Sequence, residues 1–222
     1  MEREIDLNKI TDGKRYGLND MVRTGCGDCA GCSACCHGMG NSVVLDPLDV
    51  YRITVELGAS FEQLLADKLE LNVVDGIILP NLKMIGADEA CVFLNSQGRC
   101  SIHPHRPGIC RIFPLGRLYE NGSYSYILQV DECKKENRTK VKVEHWIDTP
   151  NPKINEKYIC DWHYFLKKAG QYIKESNDDG AAKRINMYIL STFFVTPYDK
   201  NIDFYEQFYS RFENIEKKCG LV

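Results

Sequence analysis

The chain lacks several features that would have named its class at once. No stretch approaches about 18 consecutive apolar residues, so the sequence offers no transmembrane helix, and the charged start Met1 to Asn8 has no apolar core of a secretory signal. The expectation is a cytoplasmic protein without a membrane partner. Strong charge of either sign is missing too: 28 basic and 31 acidic residues leave a formal net charge of -3, so no global basic field recommends nucleic acid as a partner. Glycine-rich phosphate loops, dinucleotide fingerprints and nucleophile elbows are absent. With only five histidines in 222 residues, the paired histidines of a zinc finger are absent as well.

Cysteine is what the chain has in excess, eleven in all. Five of them fall between residues 26 and 36 (Cys26, Cys29, Cys32, Cys35, Cys36), a density no apolar core requires. Two-residue spacers bring successive sulfurs within reach of one ion, and the small fillers Gly27, Ala30, Gly31, Ser33 and Ala34 let the backbone curl around it. A second run, Cys91, Cys100 and Cys110, with Cys133 beyond it, is expected to close the site, because soft metals take thiolates over oxygen ligands. In a reducing compartment the odd count and the vicinal Cys35-Cys36 pair argue against a disulfide framework.

Along the chain, residues 1 to 25 read as a polar arm. Ser42 to Leu45 reads as a short strand; Asp46-Pro47 opens a helix that stops at Gly58, and Ser60 caps another. Residues 73 to 85 read as a hairpin, and Cys91 to Leu94 is expected to turn at 95 to 98 and return through 99 to 102, placing Cys91 and Cys100 on opposite arms. Asn121-Gly122 predicts a hairpin between 118 and 130. From 153 onward, apolar residues recur at helical intervals, and the many Tyr and Phe there are expected to pack against the cysteine domain. The fold class is therefore α+β: a compact cysteine-rich domain, 1 to 150, followed by a helical extension, 151 to 222.

The spacing Cys26-x2-Cys29-x2-Cys32-x3-Cys36 matches that of bacterial ferredoxins, although His37 replaces their proline and the run occurs once. A wider pattern is more specific. Cys29-x2-Cys32-x2-Cys35-Cys36, Cys91-x-Phe93-Leu94 and Gly98-x-Cys100-Ser101-Ile102-x3-Arg106-Pro107-x2-Cys110-Arg111-x2-Pro114 together resemble the CxxCxxCC, or YkgJ-like, cysteine-cluster family over residues 26 to 133. That resemblance implies a domain that chelates zinc or iron through the matching cysteines. His103 departs from the tyrosine common in the family, and Cys26 lies outside its core motif, so the ligand set stays open.

Fe-S and zinc compete for the same sulfurs. The ferredoxin-like spacing leans toward a 4Fe-4S cluster, with zinc the alternative, held by some of Cys26, Cys29, Cys32, Cys35, Cys36, Cys91, Cys100, Cys110 and Cys133. Arg106 and Arg111 flank Cys110 and are read as positive neighbours that offset thiolate charge. His37, His103 and His105 could donate to sulfur or ligate. Cys160 and Cys219 read as helix filler. Two further readings stand beside metal binding: a metal-dependent modifying enzyme, distantly similar to flagellin lysine N-methylases, and a structural zinc domain that binds a partner. The partner, protein or small molecule, is not named by the sequence.

Overall fold

The computed structural model describes residues 6–27, 29, 32–176, 178 and 180–221. It is a mixed α+β chain of helices and short antiparallel hairpins ending in helices. Two compact units interleave along the sequence: one is built from 44–83 and 161 onward, the other from the residues up to 43 and from 84–160.

In the first unit the local rules read from the sequence hold. Asp46 accepts from the Asp49 backbone N–H at 2.9 Å while the Asp49 carboxylate accepts from Asp46 N–H at 3.3 Å, a reciprocal cap that starts helix Pro47–Leu57. Gly58 ends it at φ 61°, where a side chain would be strained. Ser60 and Gln63 repeat the device for Phe61–Asp67. The hairpin pairs Leu69–Val74 with Ile77–Leu82 through Asp75-Gly76, both at positive φ. It lies earlier than expected, because the Asp-Gly dipeptide sets the turn and fixes the register on either side of it. Asn186 fastens the turn, accepting from Ile78 N–H at 2.6 Å and donating to Gly76 O at 3.0 Å.

The aromatic helices of this unit pack on one another and on the 44–83 segment. Trp162 packs tilted on Phe193 (5.1 Å between ring centres), Phe193 tilted on Phe208, and Tyr51 stacks on Phe204. Phe193 and Phe208 are fully buried, so these rings form a core.

The second unit carries every cysteine from 26 to 133. Its core gathers Tyr16, Leu18, Val22, Ile112, Leu115, Tyr126, Leu128, Val143 and Ile147. Strand Met21–Gly25 pairs antiparallel with Thr139–Lys142, and Leu115–Glu120 pairs with Ser123–Leu128 through Asn121-Gly122. The expected polar arm is thus corrected: Tyr16, Leu18 and Val22 are core residues, and Tyr16 exchanges backbone hydrogen bonds of 2.8 and 2.9 Å with Tyr126. Two adjacent apolar residues, Met21 and Val22, followed by Arg23 and Thr24 give no alternation to read as a strand.

Two other expected strands shrink. Ser42 to Leu45 keeps a single bridge, Val44 to Asn81, because Ser42 turns back onto Met39 O through both its N–H and its hydroxyl. Cys91 pairs with Met84 instead of continuing to Leu94, so the 91-to-102 hairpin is reduced to the bridge Leu94 to Cys100.

Candidate metal centre

The first cysteine run leaves the sheet directly. Gly25, the last residue of its strand, lies against the opposite strand so closely that a Cβ there would meet Val141 Cγ1 at 2.9 Å and collide with the Thr139 hydroxyl. Only glycine lets the chain pass at this point. Cys26 follows, then Gly27 and Cys29 at positive φ (66° and 59°), which curl the backbone as a nest requires. The Ala30 and Gly31 fillers lie outside the described residues. Cys32 N–H donates to Cys29 O at 3.0 Å, and a turn of 3-10 helix, Ala34–Cys36, presents the vicinal pair.

A backbone bridge from His37 to Ala90, with Gly38 N–H donating to Glu89 O at 3.1 Å, lays the end of this run beside Cys91. The turn at Asn95 then returns the chain: the Asn95 carboxamide oxygen accepts from Gln97 and Arg99 N–H, and Ser101 N–H donates to Phe93 O at 2.7 Å, which brings up Cys100. Cys110 stands in the short helix Gly108–Ile112. Two clamps hold that helix. Arg111, only 5% exposed, donates to Asp148 O at 2.9 Å and to Pro104 O; the Trp146 indole N–H donates to Ile112 O at 3.1 Å.

The thiols act on one another across these segments. Cys26 and Cys29 sulfurs lie 3.9 Å apart, and none of the eleven cysteines is in a disulfide. Burial, then the Cys26 thiol, pushes the Cys29 pKa up to about 12. Cys36 donates a hydrogen bond to Cys35, which lowers Cys35 to about 7 and raises Cys36, on which Cys91 and Cys110 also act. Burial raises Cys91 and Cys100, and each senses Cys35. The Arg106 guanidinium acts to lower Cys29, Cys35 and Cys100, and Arg99 adds to its effect on Cys100. Arg106 is steered by His103, whose ring Nδ1 lies 2.8 Å from Arg106 Nη1 and whose carbonyl accepts from it at 3.1 Å.

Among the described residues, electrostatic links join thiols of three segments: Cys29 with Cys26 and Cys35, Cys36 with Cys91 and Cys110, and Cys91 with Cys100. Cys32 is tied to Cys29 by its backbone hydrogen bond, Cys133 lies in the same unit, and His37 is exposed beside the run. Arg106 acts electrostatically on three of the thiols, and the Arg111 guanidinium donates to the Asp148 and Pro104 carbonyls. Sequence reasoning missed Gly25, Trp146 and Asp148; the left-handed Asp148 and the tryptophan carry no motif that marks them.

Does this donor set suit a metal? The donor groups are thiols with guanidinium neighbours, Arg106 and, at Cys100, Arg99, the chemistry of a soft-metal site. Two thiolates on one tetrahedral zinc at about 2.3 Å would stand about 3.8 Å apart, close to the Cys26–Cys29 spacing. Among the described residues, no group of three or more His, Cys, Asp or Glu side chains is already arranged to hold an ion. Protonated thiols that hydrogen-bond to each other must therefore turn as they lose their protons. No helix among the described residues is long and apolar enough to cross a membrane.

Comparison with known families matches residues 28–144 to the family model CxxCxxCC, described as "putative zinc- or iron-chelating domain". Neither the curated proteins nor the solved structures contain a match.

Proposed function

We propose that this chain, which belongs to the CxxCxxCC family, binds its metal through the seven converging thiols of Cys26, Cys29, Cys35, Cys36, Cys91, Cys100 and Cys110, four of them holding a 4Fe-4S cluster. The observation that carries this reading is the mutual electrostatic action of thiols from three separate segments. Seven exceed the four that one zinc takes, and their spread over three segments suits a body larger than a single ion. When bound, a cluster would supply one-electron redox chemistry.

The chain's own residues would do the rest. Arg106 offsets thiolate charge. Arg111 and Trp146 fix the helix that presents Cys110, and the low-lying Cys35 thiolate offers the first ligand. A second reading, a single zinc or iron ion, is favoured by the Cys26–Cys29 spacing of 3.9 Å, since cluster thiolates bind different irons and stand farther apart.

Anaerobic purification followed by absorption, iron, sulfide and zinc analysis on one sample separates the readings. About four irons with matching sulfide and broad absorption near 400 nm support the cluster. A colourless protein with one zinc supports the second reading, and a protein without metal from replete medium overturns both.

A further inference from the structure

A cavity of about 500 Å³ opens on the outer face of the paired strands Met21–Gly25 and Thr139–Lys142, away from the thiols in function but on the same two strands that enter and follow the cysteine run. It is lined by Lys14, Arg15, Arg23 and Lys140 against two carboxylates, Asp12 and Asp20. In a chain whose net charge is -3, this local excess of cations is a departure.

Its composition has a cost that the fold does not require. Arg23 and Lys140 are direct cross-strand partners, and like charges placed opposite each other in an antiparallel pair are destabilising. The neighbouring pair shows the ordinary remedy: Lys142, opposite Met21, is neutralised by Glu144 at 2.7 Å. Arg23 and Lys140 have no carboxylate partner among the described residues, and neither has Lys14. The cavity's own carboxylates are held in place by neutral donors and keep their charge, which leaves the cations in excess. Asp12 accepts from the Tyr16 hydroxyl and from Lys14 N–H, and Asp20 accepts from Gly17 N–H at 2.7 Å. Arg15 is taken by Glu120, Nη2 to Oε1 at 3.0 Å.

We infer that this cavity binds a small organic phosphate carrying at least two negative charges, with Arg23, Lys140 and Lys14 meeting the phosphate. A guanidinium offers paired donors to phosphate oxygens and ammonium groups add point charges. The volume lies in the range of small-molecule sites, about 300 to 1,000 Å³, larger than an inorganic ion needs. Tyr16, Leu128 and the exposed Met21 supply an apolar wall for the organic part.

The test uses AMP and glucose 6-phosphate as probes, adenosine and glucose as uncharged controls, and calorimetric titration of the full chain at fixed ionic strength. Both phosphates are expected to bind at one site per chain, and R23Q/K140Q to weaken them by about tenfold or more. Without ligand the same double variant is expected to melt about 1–2 °C higher, because the repulsion is gone. Circular dichroism and metal content report whether it folds, and K14Q is a milder second variant expected to weaken binding in the same direction. Unchanged binding in R23Q/K140Q and K14Q, no binding up to about 5 mM, equal binding of the uncharged controls, or reproduction of the whole effect by sulfate at matched ionic strength would each overturn the inference.

Discussion

Replacing Arg111 distinguishes a counter-charge from a clamp. The side chain is 5% exposed and its two terminal nitrogens donate to Asp148 O and Pro104 O. The Asp148 carboxylate lies 3.7 Å away but is 86% exposed, so that ion pair adds little. Hydrogen bonds from a charged donor contribute about 1.5–3 kcal/mol each, and removing both strands two carbonyls. Arg111→Met is therefore expected to cost about 3–5 kcal/mol. Arg111→Lys keeps the charge yet cannot span both carbonyls, so about half the loss should remain. Asp148→Asn should stay within about 0.5 kcal/mol of the parent. Urea unfolding followed by circular dichroism, with and without metal, measures all three. A lysine variant as stable as the parent would refute the clamp and restore the counter-charge reading made from sequence.

Further outcomes follow from the same structure. Gly25→Ala should destabilise by about 1–3 kcal/mol, as overpacking does, with loss of metal in step, because its Cβ would press on Val141 and Thr139; denaturation and metal analysis check both. Thr24 is fully buried with an unpartnered hydroxyl, so Thr24→Val should stabilise by about 1 kcal/mol and raise the melting temperature by about 2–4 °C. Raised thiols must lose protons to bind metal, so uptake at pH 7.5 should release about three protons per four-thiolate site and tighten as pH rises; titration in buffers of different ionisation enthalpy reads the number. In metal-free protein the sign differs by residue. Cys29, raised to about 12 from 9.0, contributes stability that is complete below pH 9 and fades as pH approaches 12. Cys35, lowered to about 7, contributes above pH 9 and loses that contribution as pH falls through 7.

What could be read in advance was local. Asp46, Ser60 and Gly58 act within four residues of themselves, and Asn121-Gly122 imposes its turn by φ alone, so caps and hairpin follow from short strings of sequence. The approach of Cys91 to Cys100 was legible for the same reason, since the eight residues between them contain a polar turn and cannot carry them far apart. What escaped depends on distant partners. Met21–Gly25 finds Thr139–Lys142 across more than a hundred residues, and neither string has enough apolar alternation to announce a strand. Arg111 reaches a carbonyl 37 residues away, a tie that its place beside Cys110 does not announce. The grouping of 44–83 with the carboxy-terminal helices rests on side chains such as Asn186, whose ties to Gly76 and Ile78 no spacing rule reveals.

The central claim, that thiols from three segments share one metal centre, is tested most directly by iron, sulfide and zinc content of anaerobically purified single variants. Cys35→Ser, Cys100→Ser and Cys110→Ser should each lose most of the metal, whereas Cys133→Ser should keep it. Full metal content in the first three, or loss confined to Cys133→Ser, would contradict the account.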